Sequence, residues 1–477
     1  MKNNRRDFLK LSGLTAIGLA GVNSFGCKVK PENNTGSAFA EQPRQTHTQK
    51  FNMSGYAAPK LDKVRIGNIG IGGRGTGALA RLIRIEGVEI KALCDVVPEK
   101  LSEALKRYEN MNFSPDTYSA GEEDWKKVCE RDDIDLIYIT TPWHLHTPIA
   151  VYAMEHGKHA VVEVPAAITV DECWQLVETS ENTKQHCMML ENCCYDFFEM
   201  LTLNMARHGF FGDIVHCEGA YIHTFSFNPE NKTRNWRQWE NIRRNGNLYP
   251  MHGLGPISQI MNLNYGDKME FLVSVSGNDF MMKNRYDEAA RNDDFWKPFA
   301  EGAGKSHRGN MNTSIIRTNM GGTIMLQHDI TSPNVYSRIH KVSGTKAAAL
   351  KYPLPPKISV DHEWLTDEEY SSIEKEFTPE ITRKIGEMAK EVGGHGGMDF
   401  LMDWRLIDCL RNGLPLDMTV YDAALWSSVG PLSEWSVANG SMPVKVPDFT
   451  AGTWKTNKPL MDISLAKGGT TKMVGTV

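Results

Sequence analysis

The sequence predicts an α/β protein, with an N-terminal doubly wound parallel sheet followed by a C-terminal α+β domain that has an open, mostly antiparallel sheet. Three observations predict this fold. A strand-like run ends in a glycine-rich turn at residues 66–77, "IGNIGIGGRGTG". Strand-like and helix-like segments then alternate to about residue 194, the pattern of parallel strands joined by helices. Later runs alternate apolar and polar residues between Gly, Asn and Asp, which is typical of antiparallel strands.

Length and composition describe a soluble protein of several parts. The chain has 477 residues, enough for two or three domains, with 41% hydrophobic and 23% charged residues. We expect an export signal and flexible tether at residues 1–59, a nucleotide-binding domain at 60–194, and a substrate and oligomerisation domain at 195–477. The net charge of −5, with both signs interspersed, argues against a nucleic-acid groove and favours a small neutral or weakly charged substrate.

The N-terminus has the pattern of an export signal. Arg5 and Arg6 precede a mild apolar run, rich in Gly and Ala, that ends at Gly26. This run is too short to span a bilayer stably, and a twin-arginine pair before it resembles a Tat signal. Cys27 stands where a lipoprotein-processing cysteine would lie, but the residues before it fit that motif poorly. The expected location is therefore the periplasm or, if Cys27 is lipidated, the membrane surface.

The first strand and its turn carry a dinucleotide fingerprint. The strand from Val64 is followed by Gly70-x-Gly72-x-x-Gly75 and a helix-like segment at residues 76–85. One glycine allows the tight turn, one lets the backbone approach a pyrophosphate, and one lets helix and strand pack closely. A second strand ends at Asp95, 20 residues beyond Gly75, where a carboxylate binds the adenosine ribose and repels a 2′-phosphate. The pattern favours NAD in a Rossmann fold over a glycine turn in another α/β fold.

Further alternating segments continue the parallel sheet. Strands are expected at residues 134–142, 159–165 and 186–196, with helices at 101–111, 146–157 and 169–183. Ligands in such sheets lie at the carboxyl ends of the strands. This rule brings residues 140–146, 163–164 and 192 to one rim. In the C-terminal half, strands are expected at 214–225, 269–277, 313–330 and 336–352, and helices at 371–392, 398–413 and 419–440.

The cysteines do not indicate a metal or disulfide site. The eight that follow Cys27 are scattered without a CxxC pair, so most are expected to be small buried hydrophobes. Neither an HExxH nor a CxxC motif accompanies His144-x-His146, so no metal site is predicted.

The nucleotide-binding half resembles the Gfo/Idh/MocA oxidoreductases. The resemblance rests on the order GxGxxG, Asp95, "TTPWHLH" and "VEVP", and covers roughly residues 64–192. Ordinary members have Glu-Lys-Pro where this chain has Glu163-Val164-Pro165, and their lysine assists proton transfer. Their later Asp-x-x-x-His pair is also replaced, by "NLYPMHGLGPISQ". A plain sugar dehydrogenase is therefore disfavoured.

The combination "GGRG", "PWHLHTP", "VEVPA", "YPMHGLGP" and "GHGGMDFLMDWRLIDCLRNG" resembles one branch, glycoside hydrolase family 109. Its members are typified by an NAD-dependent α-N-acetylgalactosaminidase. The resemblance implies a cycle of hydride removal at sugar C3, proton loss at C2, departure of the aglycone from C1, addition of water, and return of the hydride. Such NAD-dependent enzymes are exceptions to the usual mechanism with two carboxylates. In the wider family the free sheet face often forms a dimer, so a homodimer is one expectation.

The resemblance also implies a set of site residues. The candidate NAD contacts are Gly70, Gly72, Gly73, Arg74, Gly75, Asp95, Trp143, His144, Leu145, His146, Glu163, Val164 and Asn192. The candidate sugar contacts are Tyr221, Arg237, Tyr249, Pro250, Met251, His252 and Tyr336. Among these, His252, Tyr336 and Tyr221 are the catalytic candidates.

Several alternatives stay open. The chain could be a periplasmic sugar oxidoreductase with exchangeable NAD, or a sugar-binding lipoprotein with a vestigial nucleotide fold. A tyrosine in a strand, such as Tyr221, is usually a core residue. His144 and His146 could be solvated loop residues, and His252 could mark a turn. His395 could cap the following helix or line the site.

Overall fold

A parallel sheet forms the N-terminal part of the computed structural model, which describes residues 42–109, 113–224, 232, 235–302 and 308–474. Its order is β3-β2-β1-β4-β5-β6, all pairings are parallel, and the winding reverses between β1 and β4. The predicted doubly wound sheet is confirmed. The strands are β1 (Val64–Ile69), β2 (Val88–Cys94), β3 (Asp116–Tyr118), β4 (Leu136–Ile139), β5 (His159–Val162) and β6 (Cys187–Met189). The helices along this part are α1 (Gly73–Leu82), α2 (Pro98–Arg107), α3 (Asp124–Cys129), α4 (His146–Glu155) and α5 (Val170–Thr183).

Local sequence explains where these elements begin. β1, β4 and β5 are short apolar runs whose side chains are almost entirely buried, as a sheet covered on both faces requires. α5 begins with a capping box, in which the Thr169 side chain accepts a hydrogen bond from the Glu172 N–H and Glu172 reciprocates. α1 follows Gly72 with no side-chain cap, so its first N–H groups are available to a ligand.

A second, mixed sheet forms the C-terminal half of the described chain. Its order is β14-β13-β12-β11-β7-β10-β9-β8-β15. The β7–β10 pair is parallel and the other pairs are antiparallel, which confirms the predicted mostly antiparallel sheet. The strands are β7 (Ile214–Ile222), β8 (Met269–Ser276), β9 (Asn312–Thr318), β10 (Thr323–Asp329), β11 (Lys341–Gly344), β12 (Ala347–Leu350), β13 (Lys357–Val360), β14 (Glu363–Trp364) and β15 (Val444–Lys445). The helices are α6 (Phe197–Arg207), α7 (Asn235–Arg243), α8 (Met251–Ile260), α9 (Met282–Asn292), α10 (Lys297–Ala300), α11 (Asp367–Phe377), α12 (Glu380–Val392), α13 (Met398–Asn412) and α14 (Val420–Ala438).

Helix α8 lies directly on strand β7 because glycines face each other at the crossing. A Cβ atom added to Gly253 would lie 2.5 Å from the Ala220 nitrogen, and one added to Gly219 would lie 2.7 Å from the Gly253 oxygen. Any side chain at either position would push the helix away from the strand. The close approach brings the first turn of α8 beside the carboxyl end of β7, which is where the candidate sugar site lies.

Two local predictions differ from the structure. Of the strand expected at residues 186–196, only Cys187–Met189 (β6) forms, and Asn192–Tyr195 is a 3₁₀ turn. The Glu191 side chain accepts a hydrogen bond from the Cys193 N–H and so caps this turn. The alternative that His252 marks a turn is also wrong, because His252 lies in the first turn of helix α8. Gly253, Gly255 and Pro256 hide the helix in the sequence, because helix propensity penalises all three.

The expected tether ends earlier than residue 59. His47 Nε2 lies 2.9 Å from the buried Glu181 carboxyl, which also accepts hydrogen bonds from the Lys50 N–H and the Tyr421 hydroxyl. Met53 and Ala58 are buried. Residues 42–59 therefore pack against α5 and α14, and the prediction of a flexible tether is wrong for them. A composition rich in Asn, Thr, Gln, Pro and Ser, without periodicity, suggests a tether, but specific polar contacts order the segment.

The C-terminal tail packs back onto the nucleotide-binding half. Ile85 and Met473 form an isolated bridge, and the Val474 N–H donates to the Arg84 oxygen. The described residues belong to one compact unit, so the domain limits proposed above stay predictions. Among the described helices, none has the length and apolar character needed to cross a bilayer. Arg5, Arg6 and Cys27 lie outside the described residues.

Candidate active site

The glycine-rich turn after β1 forms a cradle at the start of α1. Gly70 has φ of +94°, and a Cβ there would lie 2.7 Å from the Thr140 oxygen. A Cβ on Gly75 would overlap the Gly70 carbonyl oxygen, whereas one on Gly72 would meet open space. Two of the glycines therefore serve the turn itself, and Gly72 keeps space free beside the helix N-terminus. We call the segment from Gly72 to Arg74 the phosphate cradle, because uncapped N–H groups at a helix start bind anions.

Asp95 lies beside this turn, at the end of β2. Its carboxylate accepts hydrogen bonds from the Ile71 N–H at 2.7 Å and the Val97 N–H at 2.9 Å, and Lys100 Nζ lies 3.5 Å away. The side chain is nearly buried at the carboxyl edge of the sheet. This is the position expected for the ribose-binding carboxylate.

Arg74 joins the phosphate cradle to two carboxylates. Its Nε donates to Glu163 at 2.8 Å, and its Nη1 donates to Asp399 at 3.1 Å. Burial lowers the pKa of Arg74, but the charges of Glu163 and Asp399 raise it by more, and the net pKa lies above its ordinary value. Asn192 also donates from its side-chain amide to Asp399. Arg74, Glu163 and Asn192, predicted separately, are therefore brought into one network.

The loop at residues 143–146 places its members differently. Trp143 stacks with Tyr249 at a ring distance of 5.9 Å and lies edge-on to Trp236. His144 is exposed, and Leu145 packs against the core. Both ring nitrogens of His146 lie 2.7 Å from carbonyl oxygens, those of Thr141 and Pro165, and burial lowers its pKa. Trp143 faces the aromatic cluster, whereas His146 braces two rim loops against each other.

An aromatic cluster stands where β7 meets α8. Tyr221 lies 4.7 Å from Tyr249, 5.4 Å from His252 and 6.4 Å from Tyr336, measured between ring centroids. His223 lies 5.3 Å from Tyr336. Four of the predicted sugar-site residues, from distant parts of the sequence, therefore share one surface. Tyr336 is 40% exposed and lies at its rim.

The other predicted sugar contacts differ in exposure. The guanidinium of Arg237 lies 5.0 Å from the Tyr249 ring and 5.5 Å from the Trp143 ring, and its buried Nε forms no hydrogen bond with the described residues. Arg237 thus has a donor left for a ligand in this cluster. Pro250 precedes α8, and Met251 is buried in its first turn. Met251 packs into the core, and its predicted contact with the sugar stays a prediction.

The tyrosines of this cluster are neutral groups. Burial raises the pKa of Tyr221 despite the lowering effect of Arg237, and burial also raises the pKa of Tyr249 well above its ordinary value. Burial raises the pKa of Tyr336 too, against the charge of Arg338. Near neutral pH these phenols are hydrogen-bond donors and weak acids. They are poorly suited to act as bases.

His252 is oriented by a carboxylate that is completely buried. Its Nδ1 lies 2.8 Å and 3.0 Å from the two carboxyl oxygens of Glu191, which is 0% exposed. A carboxylate only accepts hydrogen bonds, so Nδ1 carries a proton, and in the neutral ring the lone pair is on Nε2. A histidine held in this tautomer, beside neutral phenols, can take a proton from a bound ligand.

Comparisons with known proteins decide the family. Residues 195–456 match the model of the glycosyl hydrolase 109 C-terminal domain. Residues 64–191 match the oxidoreductase family with an NAD-binding Rossmann fold, Gfo/Idh/MocA. The chain belongs to glycosyl hydrolase family 109.

Individual relatives of this family 109 protein agree. It is 48% identical over 418 residues to a Bacteroides fragilis protein named alpha-N-acetylgalactosaminidase, covering 86% of this chain and 96% of that one. It is 44% identical to a glycosyl hydrolase family 109 protein of Porphyromonas gingivalis, covering 86% and 89%. Levoglucosan dehydrogenase in complex with NADH has a TM-score of 0.61 at 18% identity, covering 81% of this chain and 100% of that one. That last likeness shows the fold.

NAD is the cofactor of this family 109 enzyme, and the residues present fit it. The space at Gly72, the uncapped start of α1 and the nearby carboxylate of Asp95 suit a diphosphate and an adenosine ribose. Val164, which stands in place of the family lysine, is buried and offers no proton-transfer group. The roles of the individual contacts stay predictions.

Sequence reasoning missed three buried residues around this site. Glu191 directly precedes Asn192 at the end of β6, so the rule about strand ends could have found it. Asp399 follows the glycines of "GHGG", but its pairing with Arg74, 325 positions away, left no local signal. His328 alternates toward the core in β10, accepts from the Leu248 N–H, and lies 6.1 Å from Tyr221.

One group of side chains has the chemistry of metal ligands, although no metal was predicted. Glu191, Cys193 and His252 each offer a ligand atom within 4.8 Å of the others. However, Arg338 Nη1 lies 2.7 Å from the Cys193 sulfur, and burial raises the pKa of that thiol. A guanidinium at that distance opposes a cation, so the carboxylate–imidazole pair is better explained by proton transfer.

Proposed function

We propose that this protein hydrolyses α-linked N-acetylgalactosaminides, with NAD as a resident cofactor that is regenerated in each turnover. The observation that carries the proposal is the buried Glu191 carboxylate on His252, set among neutral tyrosines beside the nucleotide rim. The name of the Bacteroides fragilis relative supports the choice of sugar. The buried Val164 supports a base other than the family lysine.

Bound NAD supplies reversible removal and return of hydride, so a cycle of oxidation, elimination, addition of water and reduction ends without net redox change. The chain's own residues supply proton transfer and positioning. His252 Nε2 takes a proton from the sugar ring, while Glu191 stabilises the imidazolium that forms. Charge-assisted contact with Glu191 also keeps the ring in one orientation.

The aromatic side chains and Arg237 position the sugar. The Tyr221, Tyr249 and Trp143 rings form an apolar wall, and the unpaired Nε of Arg237 donates to a sugar oxygen or amide carbonyl. Tyr336 at the rim acts as a phenol, able to donate a proton to the departing oxygen.

The test is release of nitrophenol from p-nitrophenyl α-N-acetylgalactosaminide by the purified protein without added NAD, with NADH absorbance followed in the same sample. We expect nitrophenol release with no accumulation of NADH. Accumulation of NADH from free sugar and added NAD, without cleavage of the glycoside, would instead identify a dehydrogenase. Tyr336→Phe should slow the cleavage of substrates with poor leaving groups more than that of substrates with good leaving groups.

Export is proposed from the sequence at Arg5 and Arg6. Replacing both with Lys should retain the protein in the cytoplasm, as measured by cell fractionation. Cys27→Ser separates the two export outcomes: release into the periplasmic fraction supports a lipid anchor, and an unchanged distribution supports a soluble exported enzyme.

A homodimer through the open sheet face is proposed by analogy with the wider family, and light scattering of the purified protein tests it.

A further inference from the structure

A strained segment separates helices α12 and α13. All five residues from Gly393 to Gly397 have positive φ, and His395, with φ of +46°, is the one that is not glycine. A Cβ on Gly394 would lie 2.7 Å from the Asp399 Cβ, and one on Gly397 would lie 2.8 Å from the Ala389 carbonyl carbon. Close packing thus requires glycine at Gly394 and Gly397, whereas a Cβ on Gly393 or Gly396 would meet open space. Strain at a residue with a side chain persists only where its surroundings hold it.

Asp399 provides what holds His395. Its Oδ2 lies 2.9 Å from His395 Nδ1, and the carboxyl group is 1% exposed. Burial raises the pKa of Asp399, but the hydrogen bond from His395 and the charge of Arg74 lower it by more, to well below its usual range. His395 does not cap α13, which has no side-chain cap. The imidazole is instead fixed in space by an ionised carboxylate.

The position of His395 is beside the phosphate cradle. Arg74 Nη1 lies 3.4 Å from His395 Nδ1, and Arg74 is the second residue of α1. The His395 side chain is 56% exposed, and its Nε2 forms no hydrogen bond with the described residues. When the ring is protonated, its Nδ1–H donates to Asp399 and its Nε2–H is free to donate, so the imidazolium beside a helix N-terminus suits an anionic ligand.

Asp399 also ties the two halves of the molecule together at this point. It accepts from Arg74 of α1 and from Asn192 after β6, and Arg81 Nη1 lies 3.5 Å away. Helix α13 packs against both α1 and the Asn192–Tyr195 turn. Asp399, in the first turn of α13, is therefore held against the nucleotide-binding half by several independent contacts.

We propose that His395, oriented by Asp399, is a cofactor-retaining residue that closes over the diphosphate of NAD from the C-terminal half. Held by the Asp399 carboxylate, the His395 imidazolium would donate from Nε2 to a phosphate oxygen, with Arg74 and the first N–H groups of α1 nearby. Dissociation of the cofactor would have to break this charge-assisted contact, so we expect it to be slow. This explains how an enzyme that needs NAD in every cycle keeps it where free NAD is scarce.

The test measures NAD release rather than catalysis. Purified protein carrying NAD is diluted into an enzyme that destroys free NAD, and the NAD remaining bound is determined over time by chromatography. We expect His395→Ala and Asp399→Asn each to increase the dissociation rate about tenfold. Because His395 is exposed, the His395→Ala protein should unfold at the same temperature as the wild type. A purely structural role of His395 would instead predict faster NAD release together with a lower unfolding temperature.

Asp403→Asn is the matched control. Asp403 lies one turn further along α13, is fully buried, and pairs with Arg81 and the Tyr138 hydroxyl without contacting Arg74. It should lower the unfolding temperature and leave NAD release unchanged. Equal release from the wild type and both test variants overturns the retaining role. Absence of NAD from the purified wild type overturns the role of His395 together with the resident cofactor.

Discussion

Nδ1 of His252 lies 2.8 Å from Oε1 of Glu191, although the two residues are 61 positions apart in the chain. The carboxylate stands at the end of a parallel strand and the imidazole in the first turn of a helix that lies on the second sheet. The pair therefore forms only when the two sheets are packed together. It joins the edge of the nucleotide site to the aromatic surface proposed to bind the sugar.

Removing either member of this pair should abolish most glycoside cleavage. We expect His252→Ala to lower kcat by about 10²- to 10⁴-fold, because a positioned base contributes that much. Glu191→Gln should also lower kcat strongly, since an amide can donate to Nδ1 and so stabilise the wrong tautomer. Steady-state nitrophenol release, normalised to bound NAD, checks both.

His216→Ala is the control for that measurement. His216 also lies near a carboxyl group, that of Glu218 at 3.4 Å, and on the same strand as Tyr221, but it hydrogen-bonds Thr323 rather than joining the cluster. Its variant should keep normal activity. Comparable losses in all three variants would mean that a general disturbance of β7, and not proton transfer, explains the effect.

Two glycine variants should separate cofactor binding from folding. Gly72→Ala places a Cβ in open space at an extended backbone position, so NAD-free protein should keep its unfolding temperature while its NAD affinity falls. Gly75→Ala places a Cβ onto the Gly70 oxygen and should destabilise the fold itself. Calorimetry with and without NAD distinguishes them. Unchanged NAD affinity in Gly72→Ala would place the diphosphate elsewhere.

The clustered tyrosines should stay protonated in alkaline solution. Burial raises the pKa of Tyr221 and Tyr249, so both remain neutral as pH passes the ordinary tyrosine value of about 10. Above that value the unfolded chain ionises first, and stability falls. Phenolate absorbance of Tyr221→Phe and Tyr249→Phe should match the wild type up to about pH 10 and differ only beyond it. A difference near pH 9 would show that these phenols ionise readily.

Acid should destabilise the parallel sheet through a buried histidine. Burial lowers the pKa of His159 to about 4, against the charge of Asp135. An unfolded histidine titrates near 6.5, so the unfolded state binds the extra proton between these values. The neutral ring's contribution is fully present above about pH 6.5 and is lost as pH falls toward 4. For one such group the loss between pH 7 and pH 5 is about 2 kcal/mol.

Urea unfolding at these two pH values checks this expectation. His159→Gln keeps an acceptor for the His186 N–H and removes the titrating ring, so its free energy of unfolding should depend less on pH. His208→Gln is the control, because that exposed ring hydrogen-bonds only a carbonyl of its own helix. Identical pH dependence in the wild type and both variants would assign the acid sensitivity to other groups.

Much of the fold was predictable because its signals are local. The buried β-branched strands, the glycine turn and the helix-like segments between them led to the doubly wound parallel sheet, whereas the order of its strands came from the structure. The C-terminal alternation likewise predicted a mostly antiparallel sheet. Helix α8 was hidden because Gly253 serves the contact with β7 and not the helix. The order of residues 42–59 has no local signal in the sequence, because it depends on distant partners such as Glu181 and Tyr421.

The sequence by itself determined the cofactor, the two-sheet architecture and the family, since each depends on residue types at short, fixed spacings. Only the tertiary structure decided which side chains act together. Glu191 orients His252, Asp399 joins Arg74 to His395, and Tyr336 meets Tyr221 across the rim. Periodicity reports which face of an element is buried but not which distant residue it meets. Those pairings depend on how α8 and α13 pack against the two sheets, and close glycine contacts set that packing.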